Sequence, residues 1–360
     1  MDRGGAETMI MNLYRAINRD VIQFDFVVHE QRRCDYDEEI ERLGGRIYRV
    51  PRFTGVNAVS YRQSFRRFFD EHPEHPIVHG HIGSSCALYL AEAKRAGRYA
   101  IAHSHSQNFP LTPSQAAFRV LSYPTRFVAD YFMACSCKAG VDRYGHRFSD
   151  ENRGKVLENG IDLALYGCDE DAHRSAKMAL GLDGVPVIGH VGRLAPEKNH
   201  EFLLKTVALV RKQLPDVRLV CVGRGPLLQQ EQERARNLGI EDSVTFLGVR
   251  TDVPDLLRAF DIFVFPSVKE GLAISAIEAQ ASGVPSLLST GVPDEAVVSS
   301  NVQRRPLDDG PRVWADRCIA LLRGLPPRRD HREDVRAHGF DINDSARWLS
   351  AFYGDVAGTR

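Results

Sequence analysis

Apolar residues recur along this chain in two rhythms. Short β-branched or aromatic runs closed by Gly, Pro or a polar turn read as buried strands, and stretches with apolar positions three and four apart read as helices. The runs at 24–29, 46–51, 76–81, 99–103 and 127–135 are predicted strands. Helical patterns lie among them at 36–44, 60–69, 84–97 and 138–144. Ahead of the first strand, Ile10, Leu13, Tyr14 and Ile17 keep helical spacing behind a Gly4-Gly5 turn. Residues 107–125 have no clean period and read as a loop followed by a helix. The alternation then repeats, with strands at 185–191, 217–222, 244–247 and 262–265 and helices at 201–213, 227–238, 253–259, 313–322 and 342–353. Strands alternating with helices predict parallel sheets joined by crossover helices, an α/β chain.

One stretch carries more than periodicity. The strand Ile262-Phe263-Val264-Phe265 is closed by Pro266, Gly271 follows in a loop, and Ile274, Ile277, Glu278 and Ala281 form a helix that Gly283 and Pro285 end. A strand, a loop and a helix N-terminus make a place for an anion, because unpaired N–H groups and the positive end of the helix dipole meet there. Glu270 in the loop and Glu278 in the helix stand eight residues apart, with the N–H groups of Gly271, Leu272 and Ala273 between them. Carboxylates accept hydrogen bonds from sugar hydroxyls, and N–H groups donate to phosphate oxygens. A ligand with hydroxyls at both ends and phosphates in the middle is a nucleotide-sugar. An ordinary solvated pair of carboxylates is the plainer reading of the same spacing.

A second loop suits the same ligand. Gly192-Arg193-Leu194-Ala195-Pro196-Glu197-Lys198 follows the strand at 185–191. It sets a guanidinium fork and an ammonium point charge where ligands bind in open α/β sheets, at a strand's carboxyl end. His79, His81, His103 and His105 cluster at two further strand ends. No carboxylate stands nearby to complete a metal ligand set, and strand carboxyl ends are where ligands bind in open α/β sheets, with His103 the chosen contact. The Gly223-Arg224-Gly225-Pro226 turn lacks the Gly-Lys-Ser/Thr ending of a phosphate loop. Asp35-Tyr36-Asp37 has the shape used by metal-dependent glycosyltransferases, but its place at a helix start fits capping.

Composition narrows the classes. The 360 residues suggest two domains of ordinary size. Lys plus Arg and Asp plus Glu number 47 each, so no overall field draws nucleic acid. No apolar run approaches the roughly 20 residues a membrane span needs, and the first residues do not read as a signal peptide. Seven Cys without a paired framework suit a reducing cytoplasm. Cys135 and Cys137 are expected as buried thiols rather than a zinc site. The helix at 60–69 sets Tyr61, Phe65, Phe68 and Phe69 against Arg62, Arg66 and Arg67. That pattern suits either a solvated face over a core stripe or peripheral contact with an anionic membrane.

Glu270-Gly271-Leu272 through Glu278-Ala279-Gln280-Ala281-Ser282-Gly283-Val284-Pro285 resembles the Glu-x7-Glu signature of the GT-B glycosyltransferases of family 4, a retaining, nucleotide-sugar-dependent class. The resemblance covers nearly the whole chain, through Met-Asp-Arg-Gly-Gly-Ala-Glu-Thr-Met at the start, Ile-Ala-His-Ser-His at 101–105, Asn159-Gly160-Ile161-Asp162 and the loop from Gly192 to Lys198. It is nearest to exopolysaccharide-type members. It implies two Rossmann-like domains facing a cleft: an acceptor-binding domain at 1–163, a nucleotide-sugar-binding domain at 164–340, and a C-terminal helix at 341–360 crossing back to the N-terminal domain. A first β-strand belongs upstream of Gly4-Gly5 in the family and is expected to be missing here, leaving ladder groups of a central strand unpaired.

The resemblance also implies the chemistry. Arg193 and Lys198 grip the donor diphosphate together with the N–H groups of Gly271, Leu272 and Ala273. Glu278 holds the ribose, Val249 and Arg250 read the base through their backbone, Glu270 and His103 contact the sugar, and Gly4 and Gly5 line the substrate site. The expected partners are a nucleotide-sugar, a UDP-sugar by preference, and a glycan or lipid-linked acceptor, with no cofactor and no metal. The expected place is the cytoplasm or the inner membrane face. Two other readings remain: a non-catalytic nucleotide-sugar binder and a nucleotide-sugar 2-epimerase, which needs an acid–base pair around the sugar and no acceptor.

Overall fold

A computed structural model of the chain describes residues 1–2, 4–105, 112–148, 152–167, 169–325 and 327–358. The chain forms two compact units, one of residues 1–161 with 339–360 and one of residues 162–338.

In the first unit α1 (Gly5–Ala16) precedes β1 (Phe26–Val28), α2 (Asp37–Arg42), β2 (Ile47–Arg49), α3 (Ala58–Glu71), β3 (Ile77–Gly80), α4 (Cys86–Arg95) and β4 (Tyr99–Ser104). Then come α5 (Pro113–Ser122), α6 (Thr125–Val128), β5 (Tyr131–Ala134), α7 (Cys137–Tyr144) and β6 (Gly154–Val156), and the unit is completed by the C-terminal helix, Ile342–Gly358. Every strand pairing is parallel. β1 and β2 form one small sheet, and β3, β4, β5 and β6 form another in that order. The aromatic stripe of α3 packs with Tyr89 and Leu90 of α4 and Phe132 of β5. The opposite face of the four-stranded sheet, at Ile101 and Met133, is covered by Met9 and Leu13 of α1 and by Ile342, Leu349 and Tyr353 of the C-terminal helix. That helix therefore returns onto the N-terminal unit, as the resemblance implies.

Several expectations for this unit need correction. Residues 127–128 close the short helix α6 instead of opening a strand, because the chain turns at Tyr123-Pro124 and reaches the sheet only at Tyr131. Asp35 and Asp37 do not cap α2: its N-cap is Tyr36, which makes no side-chain cap bond. Asp37 is instead buried and accepts from Arg49 at 2.7 Å and from the Cys34 N–H at 3.1 Å. Cys135 is buried but Cys137 is exposed, since it opens α7 behind the capping Ser136, whose hydroxyl accepts from the Ala139 N–H. On the basic face of α3, Arg62 and Arg66 each reach the buried Glu92 of α4 at 2.6 Å, and Arg67 is exposed. Of the stretch read as a loop and helix at 107–125, residues 107–111 lie outside the described residues.

The second unit begins with α8 (Glu170–Ala179), β7 (Val187–Val191), α9 (His200–Arg211), β8 (Arg218–Val222), α10 (Leu228–Asn237), β9 (Val244–Phe246) and α11 (Val253–Ala259). It continues with β10 (Ile262–Phe265), α12 (Ile274–Ala281), β11 (Ser286–Ser289), β12 (Val302–Arg305), α13 (Gly310–Arg323) and α14 (Arg332–Ala337). Its six strands make one parallel sheet in the order β12-β11-β10-β7-β8-β9. The chain runs outward from β7 to β9, then returns beside β7 with β10 and runs outward the other way. The order reverses between β7 and β10, and open α/β sheets bind ligands at the carboxyl ends of the strands flanking such a point. The core on one face gathers Leu203, Leu204 and Val207 of α9 with Trp314 and Ile319 of α13.

One contact at the central strand is tight enough to test. A Cβ on Gly189 of β7 would lie 1.8 Å from the Phe260 ring. Gly189→Ala is expected to cost about 1–3 kcal/mol by overpacking, read as a melting midpoint lowered by about 2–10 °C. An unchanged midpoint would mean that Phe260 moves aside freely.

Candidate active site

The carboxyl end of β7 continues into the loop that carries Arg193 and Lys198. A short 3-10 turn, Pro196–Lys198, leads to Asn199, the N-cap of α9. The carboxyl end of β10 continues into Glu270 and the start of α12. The two loops meet in an ion pair: Lys198 Nζ donates to Glu270 Oε1 at 2.7 Å, with both side chains largely buried. The same ammonium stands 4.7 Å from the centre of the Phe265 ring, which favours a cation electrostatically. Arg193, on the same loop, is exposed and its guanidinium has no ion-pair partner among the described residues. The 223–225 turn lies against this loop. A Cβ on Gly223, whose φ is +136°, would sit 2.0 Å from the Gly192 carbonyl oxygen.

The backbone beside these side chains is unusual. Among the described residues only Asn199 (φ 55°) and Ala273 (φ 63°) are non-glycine residues in the left-handed region. They are the N-caps of α9 and α12, the two helices that follow the switch-point strands, and neither makes a side-chain cap bond. Holding alanine there costs on the order of 1–2 kcal/mol, and such strain gathers at functional sites. Among the described residues the N–H groups of Gly271, Leu272 and Ala273 find no backbone acceptor, whereas that of Glu270 donates to the Gly291 carbonyl at 3.1 Å. Three donors at a helix N-terminus, an ammonium and an open guanidinium suit a diphosphate.

Glu278, inside α12, accepts from the Tyr166 hydroxyl at 2.8 Å. Burial pushes its carboxyl up to about 7, against the pull of the Tyr166 hydrogen bond. Val249 and Arg250 follow β9 on an exposed turn, and Arg250 is paired with Asp252 at 2.6 Å. That turn is tied inward by an antiparallel bridge between Gly248 and Gly223. An open groove of about 800 Å3 is lined by Tyr166, Arg250, Asp252, Arg258 and Arg332. Each of its three arginines already holds a carboxylate, of Asp252, Asp255 and Asp330 respectively, so it is a poor place for a diphosphate.

Beneath the Lys198 loop lies a pair of buried imidazoles, His190 and His200, that no sequence pattern marks. His190 Nδ1 donates to the Val264 carbonyl at 2.9 Å, and its ring meets that of His200 edge-on at 4.6 Å. Among the described residues His190 Nε2 and both nitrogens of His200 have no partner. Burial and the Lys198 charge hold His200 down at about 4, so the pair adds no positive charge at neutral pH.

In the first unit Gly4 is the N-cap of α1 and Gly5 its exposed first residue. His103 lies at the end of β4 and is 2% exposed. His79, His81 and His103 each bring a ring nitrogen within 4.8 Å of the others, and imidazole alone is a donor set that suits Zn2+-like ions. The rings are already bonded in pairs, however: His79 Nε2 to His103 Nδ1 at 3.2 Å and His81 Nδ1 to His105 Nε2 at 2.8 Å. Burial keeps all four neutral, with His79 held at about 3 and His105 at about 4.

Lys198 and Glu270 are thus brought into direct contact, and Arg193, Gly271, Leu272 and Ala273 share their two loops. Glu278 is linked to Tyr166, a partner no sequence pattern marked. Among the described residues no helix is long and apolar enough to cross a membrane.

Residues 4–160 match the family described as glycosyl transferase 4-like domain, and residues 185–324 match glycosyl transferases group 1. A Bacillus subtilis (strain 168) protein named "Putative glycosyltransferase EpsF" is 33% identical over 360 residues, covering 98% of this chain and 94% of EpsF. An Escherichia coli enzyme named UDP-Gal:alpha-D-GlcNAc-diphosphoundecaprenol alpha-1,3-galactosyltransferase is 27% identical over 224 residues, 60% of this chain and 58% of its own length. Among solved structures, Anabaena Alr3699/HepE in complex with UDP and glucose has a TM-score of 0.79 at 18% identity, over 98% of this chain and 96% of that one. The likeness shows the GT-B fold.

Proposed function

The chain belongs to the group 1 glycosyltransferases of family 4, and on that premise we propose that it moves a sugar from a UDP-sugar to a lipid-linked glycan acceptor in exopolysaccharide synthesis, with retention and without a metal ion. The observation that carries the reading is the Lys198–Glu270 ion pair at 2.7 Å, set where the strand order of the second unit reverses. It holds an ammonium in place before any donor arrives. Groups fixed where charge develops, at no cost of reorganisation, are usually the largest contribution to catalysis.

In this reading the unit of residues 162–338 binds the donor. Lys198, Arg193 and the N–H groups of Gly271, Leu272 and Ala273 take the charge that grows on the leaving diphosphate. Glu278 accepts from the ribose hydroxyls, and the backbone at Val249 and Arg250 meets the base. Glu270 has two carboxylate oxygens, so it can orient a sugar hydroxyl while it anchors Lys198. His103 contacts the transferred sugar or the acceptor, and Gly4 and Gly5 flank that region. The similarity to the Escherichia coli enzyme, whose name gives a diphosphoundecaprenol acceptor, supports a lipid diphosphate over a free sugar. The likeness to EpsF supports glycosyl transfer, and the place in exopolysaccharide synthesis rests on the resemblance of Met-Asp-Arg-Gly-Gly-Ala-Glu-Thr-Met and Ile-Ala-His-Ser-His to exopolysaccharide-type members.

Labelled UDP-sugars incubated with a polyprenyl-diphosphate acceptor test the reading. Transfer is expected to survive a molar excess of EDTA with less than a twofold loss. Abolition by the chelator would overturn metal independence. Donor conversion without acceptor would favour the 2-epimerase, and tight donor binding with neither transfer nor hydrolysis would favour the non-catalytic binder.

A further inference from the structure

We propose that Tyr353 of the C-terminal helix, acting through His79, fixes which nitrogen of His103 carries the proton and leaves His103 an Nε2–H donor. Tyr353 is a positioning residue in this scheme, and the proposal rests on the assignment of His103 to the sugar-transfer centre.

The three side chains form one line. The Tyr353 hydroxyl is 2.5 Å from His79 Nδ1, and His79 Nε2 is 3.2 Å from His103 Nδ1. His103 Nε2 is buried and has no partner among the described residues. A neutral imidazole has one N–H and one lone pair, so each ring can pass a hydrogen bond along in only one direction at a time. Burial holds both rings well below the usual histidine range, so each carries a single proton at neutral pH.

The direction is set at the Tyr353 end. Its hydroxyl is buried and has one hydrogen, and His79 Nδ1 is its one acceptor among the described residues. Were Tyr353 to accept instead, that O–H would stay buried and unbonded, which is unfavourable. Tyr353 therefore donates to His79 Nδ1, His79 carries its proton on Nε2 and donates to His103 Nδ1, and His103 carries its proton on Nε2. The outcome is a buried N–H that finds no acceptor among the described residues. A ligand oxygen that accepts from it recovers the hydrogen bond the protein leaves unmade.

The surroundings do not impose another choice. His81 stacks on His79 at 4.4 Å between ring centres, and His105 stacks on His103 at 4.3 Å. These two are bonded to each other and kept neutral by burial, so they bring no charge to bias the line.

Nitrogen-15 spectra of the histidine rings test the proposal, with the signals of His79 and His103 assigned from His79→Gln and His103→Gln. In the wild type His103 is expected to show a protonated Nε2 and a bare Nδ1. In Tyr353→Phe, which removes only the hydroxyl, His103 is expected to lose that preference. Its kcat should fall by about two- to tenfold, the worth of one neutral hydrogen bond, with little change in donor KM. A wild-type His103 protonated at Nδ1 overturns the proposal by itself, even if the variant fails to fold. So does a tautomer unchanged in Tyr353→Phe, or Zn2+ bound in a one-to-one ratio through these rings, since ligation takes the nitrogens the line uses. If the tautomer behaves as expected but His103→Gln leaves kcat unchanged, the assignment of His103 to transfer fails while the hydrogen-bonded line stands.

Discussion

Lys198→Ala is expected to lower kcat/KM for glycosyl transfer by roughly 30- to 1000-fold, corresponding to about 2–4 kcal/mol of lost transition-state stabilisation. The magnitude follows from position. Lys198 is held by Glu270 and stands over the Phe265 ring, so in the proposed mechanism its ammonium waits where the leaving diphosphate gains charge. A flexible surface lysine at the same distance would be screened and would first have to be ordered, and its removal would matter far less. Glu270→Ala is expected to cost nearly as much, because it frees Lys198 and removes the group proposed to orient the sugar. The double variant should then cost less than the sum of the two, as coupled neighbours do. Single-turnover rates with saturating donor separate this from weaker binding. Loss of less than threefold in both single variants, or simple additivity, would place the diphosphate grip elsewhere.

The loops that carry this pair were legible because their residues cluster in sequence. A β-branched run, a proline, a glycine and two glutamates within 262–285 identify a strand, a turn and a helix start without any help from tertiary structure. The same holds for Arg193 and Lys198 after a strand. The meeting of Lys198 with Glu270 was not legible, since it joins residues 72 positions apart through a strand order that periodicity does not reveal. Nor was Tyr166, 112 positions from Glu278. The left-handed backbone of Ala273 gave no signal, because alanine ordinarily avoids that region and only the packed surroundings hold it there.

Elements escaped notice for related reasons. In α8 the one large apolar side chain is Met178, which is exposed, and the helix is held instead by Lys177, whose ammonium reaches Asp261 at 2.8 Å. A helix anchored by a buried ion pair shows no apolar stripe. β11 is only four residues long and fully buried, and β12 is Val-Gln-Arg-Arg at the sheet edge; neither alternates. The line from Tyr353 to His103 is the extreme case. His79 and His103 end neighbouring strands and stand out in sequence, but the hydroxyl that orients them comes from a helix 274 positions after His79.

Glu278 gives the second large effect, and its sign can be worked out. Burial lifts its carboxyl to about 7 in the free protein, while ribose hydroxyls, being donors, favour the ionised form. Below pH 7 donor binding must therefore expel a proton, and above it need not. Affinity for a UDP-hexose is expected to be roughly 30-fold weaker at pH 5.5 than at pH 8, the limit for one linked proton. The diphosphate of a UDP-hexose is a diester, ionised throughout this window, so the slope belongs to the protein. Stability runs the other way. A carboxyl raised above its unfolded value of 4.5 binds more protons in the folded state between 4.5 and 7. Its contribution is therefore lost as pH rises through that window, by up to about 3 kcal/mol. The buried histidines oppose it in the acid range: with folded values below 6.5, they destabilise the fold as pH falls below 6.5. The difference between wild type and Glu278→Gln cancels the histidines. The variant is expected to gain stability relative to wild type from pH 5 to 8 and to bind UDP-hexose weakly, with no slope across pH 7. A wild-type affinity that is flat from pH 5.5 to 8, measured by calorimetry, would mean that Glu278 does not meet the donor as a carboxylate.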